Sequence, residues 1–272
     1  MLIDSHCHLD AREFDADRDA VIVAAHAAGV SGIVIPSVEK NNFSAVRDCC
    51  RRYPGCFPAY GIHPLYLDRA SEDDFSTLRE WLRKESIGAF PPLALGEIGL
   101  DYFVPGFDAA RQEHFFIEQL KIAREFDLPV LLHVRRSLDQ VLKCLRRIGV
   151  RGGIAHAFNG SRQQADEFIR LGFRLGFGGA MTYPGSTRIR KLASTLPINA
   201  IVLETDAPDM APCWLAGERN TPAEVARIAR TFSELRGLSL AEALAATSAN
   251  VLEILNLPLP GLMDQDSPGM AV

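Results

Sequence analysis

The chain has 272 residues, 47% of them hydrophobic, enough to bury the core of one α/β barrel or of two smaller domains, and one domain is the expectation. Its 29 basic and 34 acidic residues give a net charge of −5, which excludes a polycationic nucleic-acid coat and confines any phosphate contact to a local patch. No run of about 18 apolar residues is available for a membrane span, and the first residues lack the basic, apolar and small-residue order of a secretory signal, so a cytoplasmic protein with no membrane partner is expected.

Short apolar or β-branched runs alternate with longer segments of helical period, the pattern of βα units on a parallel sheet. Strands are predicted at 2–8 ("LIDSHCH"), 32–37, 56–63, 93–100, 129–134, 152–158, 173–178 and 200–206. Among the intervening helices, 108–126 repeats Phe116, Leu120 and Ala123 at helical spacing, and 161–171 has Ser161 as its N-cap. After the eighth strand, 221–237 and 239–255 read as helices of the outer layer. Eight units predict a (β/α)8 TIM barrel: one hydrolase-type domain over 1–256, with 257–272, which holds three prolines and no periodicity, as a loosely attached tail. The six cysteines, Cys7, Cys49, Cys50, Cys56, Cys144 and Cys213, match neither a CxxC metal pattern nor a disulfide scaffold and read as reduced thiols.

The ionisable residues fall on this map in a pattern. Alternation along the first strand puts Asp4, His6 and His8 on one face, with Ile3, Ser5 and Cys7 on the other. His6 and His8 end strand one, His63 follows strand three, Glu97 lies near the end of strand four, and His133, His156 and Asp206 end strands five, six and eight. Carboxyl ends of barrel strands converge on one mouth, where sites of this architecture are built. Imidazoles and carboxylates gathered in a low-dielectric mouth are costly alone, and divalent cations compensate them. A metal site is therefore expected. His26 and His114 fall in helices and read as surface residues.

"DSHCHLD", "YGIHP", "LGEIGLDY", "RQEHFFIEQLKIAREFDLPVLLHVR", "IAHAFNGS" and "LETDAP", in order from the first strand to about residue 225, resemble the signature blocks of the TatD family of metal-dependent deoxyribonucleases, within the amidohydrolase-like barrels. The resemblance implies that His6 and His8 bind one metal, that Glu97 bridges it to a second held by His133 and His156, and that Asp206 completes the first. It implies two divalent ions per chain, zinc, manganese or magnesium, and a DNA substrate cut from an end or as a single strand. Two ions roughly 3.5–4 Å apart suit an in-line displacement at phosphorus.

Within this assignment Asp206, Glu97 and Glu204 are the catalytic candidates. Asp206 can accept a proton from the attacking water, and Glu204, two residues earlier on the same face, orients water or a ligand. His63 and Arg135 are substrate-binding candidates, the first beside the metals and the second as a guanidinium fork for phosphate. Backbone N–H groups at Asn159, Gly160 and Ser161 offer an anion site, and "RIRK" at 188–191 reads as a charged helix face. The chain departs from the family pattern after "TDAP": Asp209 stands where an aromatic residue is expected, "RNTP" where "RNEP" is expected, and Trp214 offers a stacking surface nearby. A metal-dependent amidohydrolase of amides, lactones or other esters is the alternative activity, and a silent barrel serving as a binding module is the third. Glu97 in place of a bridging lysine on strand four favours phosphodiesters.

Overall fold

The computed structural model describes residues 1–215 and 217–257. All eight expected strands are present: β1 Ile3–Asp4, β2 Gly32–Pro36, β3 Cys56–Tyr60, β4 Ala94–Asp101, β5 Val130–Arg135, β6 Gly153–Ala155, β7 Phe173–Phe177 and β8 Ile201–Leu203. They pair in parallel in sequence order. Ser5 N–H to Leu203 O (3.0 Å) and Asp206 N–H to His6 O (2.9 Å) bring β8 back to β1, so the sheet curls into a nearly closed barrel. Helices α1 Arg18–Ala27, α2 Phe43–Arg52, α3 Asp73–Ser86, α4 Ala109–Glu125, α5 Leu138–Ile148, α6 Arg162–Arg170 and α7 Thr187–Thr195 lie between the strands, and α8 Val225–Arg236 and α9 Leu240–Leu255 follow β8.

The helix ends follow from local chemistry. The Asp108 side chain accepts from Arg111 N–H at the start of α4, and reciprocal caps Ser161/Gln164 and Ser239/Glu242 start α6 and α9. Each such cap satisfies backbone donors that would otherwise be orphaned, worth about 1 kcal/mol. Gly237, at φ 65°, ends α8.

One layer inside the barrel takes Ile3, Val34, Ala59, Ala94, Leu131, Ile154 and Val202 from seven strands, and Val251, Ile254 and Leu255 of α9 pack against it. In β7 the matching position is Arg174, which donates to Glu253 of α9 at 3.1 Å. One end of the barrel is thus plugged by α9, and the carboxyl ends of the strands are left open. Leu257 joins the same plug; the rest of the expected tail, 258–272, lies outside the described residues. No single helix among the described residues is long and apolar enough to cross a membrane.

Two local departures from regular pleating shape the mouth. Regular pairing of β1 stops at Asp4, earlier than expected, because the next peptides are claimed by both neighbours: Ser5 N–H and His6 C=O bond to the β8 side, and Cys7 N–H bonds to Val34 O. The face-sharing of Asp4 with His6 and His8 is therefore lost. The Asp4 carboxylate instead binds Thr205, through Oγ1 at 2.6 Å and N–H at 2.9 Å. In β4 the register shifts between Leu95 and Ile98, which turns Glu97 inward, and Gly99 (φ +153°) lets β4 pass where a Cβ would lie 1.9 Å from His133 O.

Candidate metal centre

Six side chains from five strands or the turns that follow them meet at the mouth, Glu97 from the middle of β4 rather than near its end. Glu97, 1% exposed, stands at their centre. Its Oε2 lies 3.2 Å from His6 Nε2 and 3.3 Å from His8 Nε2; its Oε1 lies 2.8 Å from His156 Nε2 and 3.1 Å from His133 Nδ1. Asp206 Oδ1 is 3.6 Å from His6 Nε2 and 3.7 Å from His8 Nε2. One carboxylate thus presents two imidazoles at each oxygen, with the second carboxylate on the His6/His8 side. Donor atoms within 4.8 Å of one another form the sets His6–His8–Glu97, His6–His156–Asp206 and His63–Glu97–His133.

The donor chemistry fits divalent cations. His6 Nε2 and His8 Nε2 approach to 3.3 Å, and His133 Nδ1 and His156 Nε2 to 3.4 Å, so each pair turns ring nitrogens toward the same point. Burial opposes charge on all of them, yet Glu97 and Asp206 push His8 up to about 9 and His156 up to about 10. Burial and the neighbouring His156 push His6 down to about 4. The carboxylates demand positive charge that protons can supply at only some of the imidazoles; divalent metal held by this donor set would supply it while leaving the rings neutral.

Asp101, which the sequence reading did not single out, orients one of these rings. Its Oδ2 lies 2.9 Å from His133 Nε2, and its Oδ1 accepts from Phe103 and Val104 N–H at 2.9 and 3.2 Å. Burial raises its pKa, but these hydrogen bonds win and hold it at about 2, so a fixed carboxylate turns His133 Nδ1 toward Glu97. The signal was present, since Glu97, Gly99 and Asp101 alternate onto one face of β4.

Glu204 and Asp206 do not share a face. Regular β8 ends at Leu203, and Asp206 adopts φ 57°, which lifts its carboxylate into the mouth. Glu204 stays beneath, 1% exposed, accepting from Ala157 N–H at 2.5 Å with Oε1 3.8 Å from His156 Nδ1. Burial pushes its pKa to about 8. Gly176 makes this pocket: a Cβ there would lie 2.1 Å from Glu204 Oε2. Gly176→Ala is therefore expected to destabilise the chain by about 1–3 kcal/mol, the usual cost of overpacking, read as a lower Tm. Shortening the carboxylate in the Gly176→Ala/Glu204→Asp double variant should recover part of that loss, and additive losses would show that Glu204 is not what the methyl strikes.

His63, 6% exposed, sits with Nε2 3.7 Å from Glu97 Oε1 and its ring edge-on to His133 at 4.3 Å. Its Nδ1 accepts from Leu65 N–H at 3.1 Å, and burial together with His133 keeps the ring neutral, so its one proton lies on Nε2, facing the mouth. That nitrogen is a hydrogen-bond donor. Cys7 is fully buried and its Sγ lies 3.6 Å from Ala207 O, turned away from the histidines as expected.

The mouth opens into a cavity of about 1310 Å³ that includes His8, His63, Glu97, His133, His156 and Asp206, with Phe103, Arg135, Arg136, Asn159, Arg188 and Asp209 around them. Arg135 lies with its guanidinium carbon 3.7 Å from the centre of the Phe103 ring. Arg188, from "RIRK", belongs to this lining and donates to Asn159 Oδ1 at 2.7 Å. Two expectations are corrected here. The N–H of Ser161 is taken by Gln164 Oε1 at 2.9 Å in the reciprocal cap, so it is closed to an anion. Trp214 is not part of the cavity lining: its Nε1–H donates to Glu224 at 2.6 Å and Arg227 lies over its ring at 4.3 Å. Within "RNTP", Asn220 fixes the departing loop, donating from Nδ2 to Thr205 O and Asp209 O at 2.8 and 2.9 Å.

The family model described as TatD related DNase matches residues 3–256. The uncharacterized metal-dependent hydrolase YjjV of Escherichia coli K12 is 37% identical over 94% of this chain and 98% of its own length. The crystal structure of that TatD homolog superposes with a TM-score of 0.90 over the same shares of the two chains. A putative deoxyribonuclease, tatdn3, of Danio rerio is 32% identical and the 3′-5′ ssDNA/RNA exonuclease TatD of Cronobacter sakazakii 31%, each over 93% of this chain and 97% of the relative.

Proposed function

The chain belongs to the TatD-related DNase family of metal-dependent hydrolases, and on that premise we propose that it is a two-metal phosphodiesterase that removes nucleotides from the ends of single-stranded DNA. The observation that carries this reading is Glu97, whose two oxygens each face two imidazoles. In this proposal His6, His8, Asp206 and Glu97 would hold one cation, and His133 and His156, with Glu97, would hold the other. Zinc, manganese or magnesium can fill the sites, and the imidazole-rich set suits the first two best. Cations so held supply Lewis-acid stabilisation of the charge that develops on phosphoryl oxygens.

The chain's own residues do the rest. Asp206 accepts the proton of the attacking water, Asp101 keeps the His133 ring turned toward Glu97, and Glu204 stands behind the His156 ring with Oε1 3.8 Å from Nδ1. His63 donates from Nε2 to a phosphate oxygen, and Arg135 offers its guanidinium to the same or the next phosphate. The exonuclease name of the Cronobacter relative supports a nucleic-acid end as substrate. The six free thiols, five of them buried, support a reducing compartment and thus the cytoplasm. One hydrolase domain over 1–256 carries all of these groups.

The test is turnover by the metal-supplied chain of end-labelled single-stranded DNA, the matching RNA and bis-p-nitrophenyl phosphate, beside a panel of amides and lactones. Phosphodiester kcat/KM is expected to exceed that of every amide and lactone. Robust amide or lactone turnover without phosphodiester cleavage would move the chain to amidohydrolase chemistry.

A further inference from the structure

The charges around the mouth are not mixed evenly. Strand order puts the loops after β4 to β7 on one side of the ring and those after β8, β1, β2 and β3 on the other. The first side carries Arg135, Arg136 and Arg188, with Phe103, 42% exposed, between the first two: their guanidinium carbons lie 3.7 and 4.6 Å from its ring centre. Asp101 is the acidic group beside them, 4.0 Å from Arg135, and it is already engaged by His133 and two backbone donors. Among the described residues, neither Arg136 nor Arg188 has a carboxylate within 4.0 Å; the partner of Arg188 is the neutral Asn159. In a chain of net charge −5, three cations and an aromatic face beside the phosphoryl centre are matched to the phosphates and bases of a strand.

The opposite side reads the other way. Asp10 and Asp209 line it with no cationic nitrogen within 4.0 Å of either carboxylate among the described residues, the Arg18 guanidinium meeting only the Asp10 backbone oxygen at 3.2 Å, while its two arginines, Arg12 and Arg69, lie beside Glu13 and Glu39 at 3.9 and 3.2 Å. Asp10 Oδ2 accepts from Asn42 at 2.8 Å, and its Oδ1 is buried with no partner. Asp209 is held by its backbone, N–H to Asp206 O at 2.9 Å and C=O to Asn220 Nδ2 at 2.9 Å. The Asp209 carboxylate is exposed and has no side-chain partner among the described residues, so it accepts from a hydroxyl and repels a phosphate.

Resting on the phosphodiesterase reading, we propose that the substrate strand leaves the centre on one side only, across Phe103, Arg135, Arg136 and Arg188, while the terminal nucleoside faces Asp10 and Asp209, so that cleavage requires an end bearing a free hydroxyl. The charge asymmetry makes the enzyme end-directed and selective for unphosphorylated ends. Asp209, which breaks the family pattern, is then a specificity-determining residue.

The test uses a 12-nucleotide single strand with hydroxyls at both ends, the same strand with a 3′-phosphate, and the same with a 5′-phosphate, given to the manganese-supplied chain. The first nucleotide released identifies the attacked end. A phosphate there is expected to lower kcat/KM by about tenfold or more, whereas a phosphate at the far end is tolerated. Asp209→Asn should shrink the hydroxyl-to-phosphate ratio by roughly threefold or more, a ratio in which any general loss of fold or metal cancels. Arg136→Ala should raise KM for the 12-mer more than for a dinucleotide, with Arg136→Lys recovering part of it. In the dialysed chain, fluorescence anisotropy should show tighter binding of the strand with a hydroxyl at the attacked end. Equal cleavage with and without a phosphate at the attacked end, or an Asp209→Asn chain that keeps the full ratio, overturns the inference and leaves the phosphodiesterase reading standing. No cleavage of any strand or of bis-p-nitrophenyl phosphate removes both.

Discussion

Glu97→Gln is expected to lower phosphodiester kcat/KM by roughly 10³-fold or more, because it weakens both halves of the centre at once. The two Glu97 oxygens face separate imidazole pairs, so one neutral amide replaces the anion shared by both. Its NH2 end also meets imidazole nitrogens that have no lone pair to spare when they hold a cation. Elemental analysis is expected to find up to two divalent ions per wild-type chain after supplementation and dialysis, and fewer than one in the variant. Metal at a hundred times its Kd stabilises a folded chain by about 2.7 kcal/mol, so the wild type should gain several degrees in Tm on metal addition while the variant gains little. Full metal content together with near-normal turnover in Glu97→Gln would remove the carboxylate from the centre of the proposal.

Much of the candidate centre was legible because barrel architecture converts one-dimensional position into three-dimensional convergence. A residue at the end of any strand must face the same mouth, so His6, His8, Glu97, His133, His156 and Asp206 could be gathered without knowing a single contact. Reading failed where the backbone left the regular pleat. Strand alternation assigned Asp4 to the mouth, but β1 is pulled toward β8 and β2 after two residues, and Asp4 turns to Thr205. Alternation likewise paired Glu204 with Asp206, whose left-handed backbone separates them.

Asp101 was missed for a different reason. Its contribution lies in fixing a histidine tautomer across two strands: alternation with Glu97 places Asp101 on the same face of β4, but that spacing does not name His133 on β5 as its partner. The arginines were visible as residues, but their grouping on one side of the mouth requires the strand order, the Arg188–Asn159 contact and the Phe103 ring to be known together.

Asp206→Asn separates proton transfer from metal holding, and kcat is expected to fall by roughly 10²–10⁴-fold while much of the metal stays bound. The substitution is unusually clean here. Asp206 sits at φ 57°, a conformation that Asn tolerates at least as well as Asp and that Ala does not, so the backbone bond from its N–H to His6 O can persist. The amide keeps an oxygen near His6 and His8 and removes only the charge and the basicity. His6→Ala should behave in the opposite sense: it deletes a fully buried donor that belongs to two of the candidate sets, so metal is lost first and part of the activity returns with excess ion. The comparison requires metal content and kcat from the same samples. Near-normal kcat with full occupancy in Asp206→Asn would place the base elsewhere, and Glu204 is poorly situated to take over, because its carboxylate is 1% exposed beneath His156 whereas the Asp206 side chain is 14% exposed at the mouth. Loss of turnover in Glu204→Gln would then reflect a disturbed Ala157 N–H contact behind His156, which a parallel loss of metal would reveal.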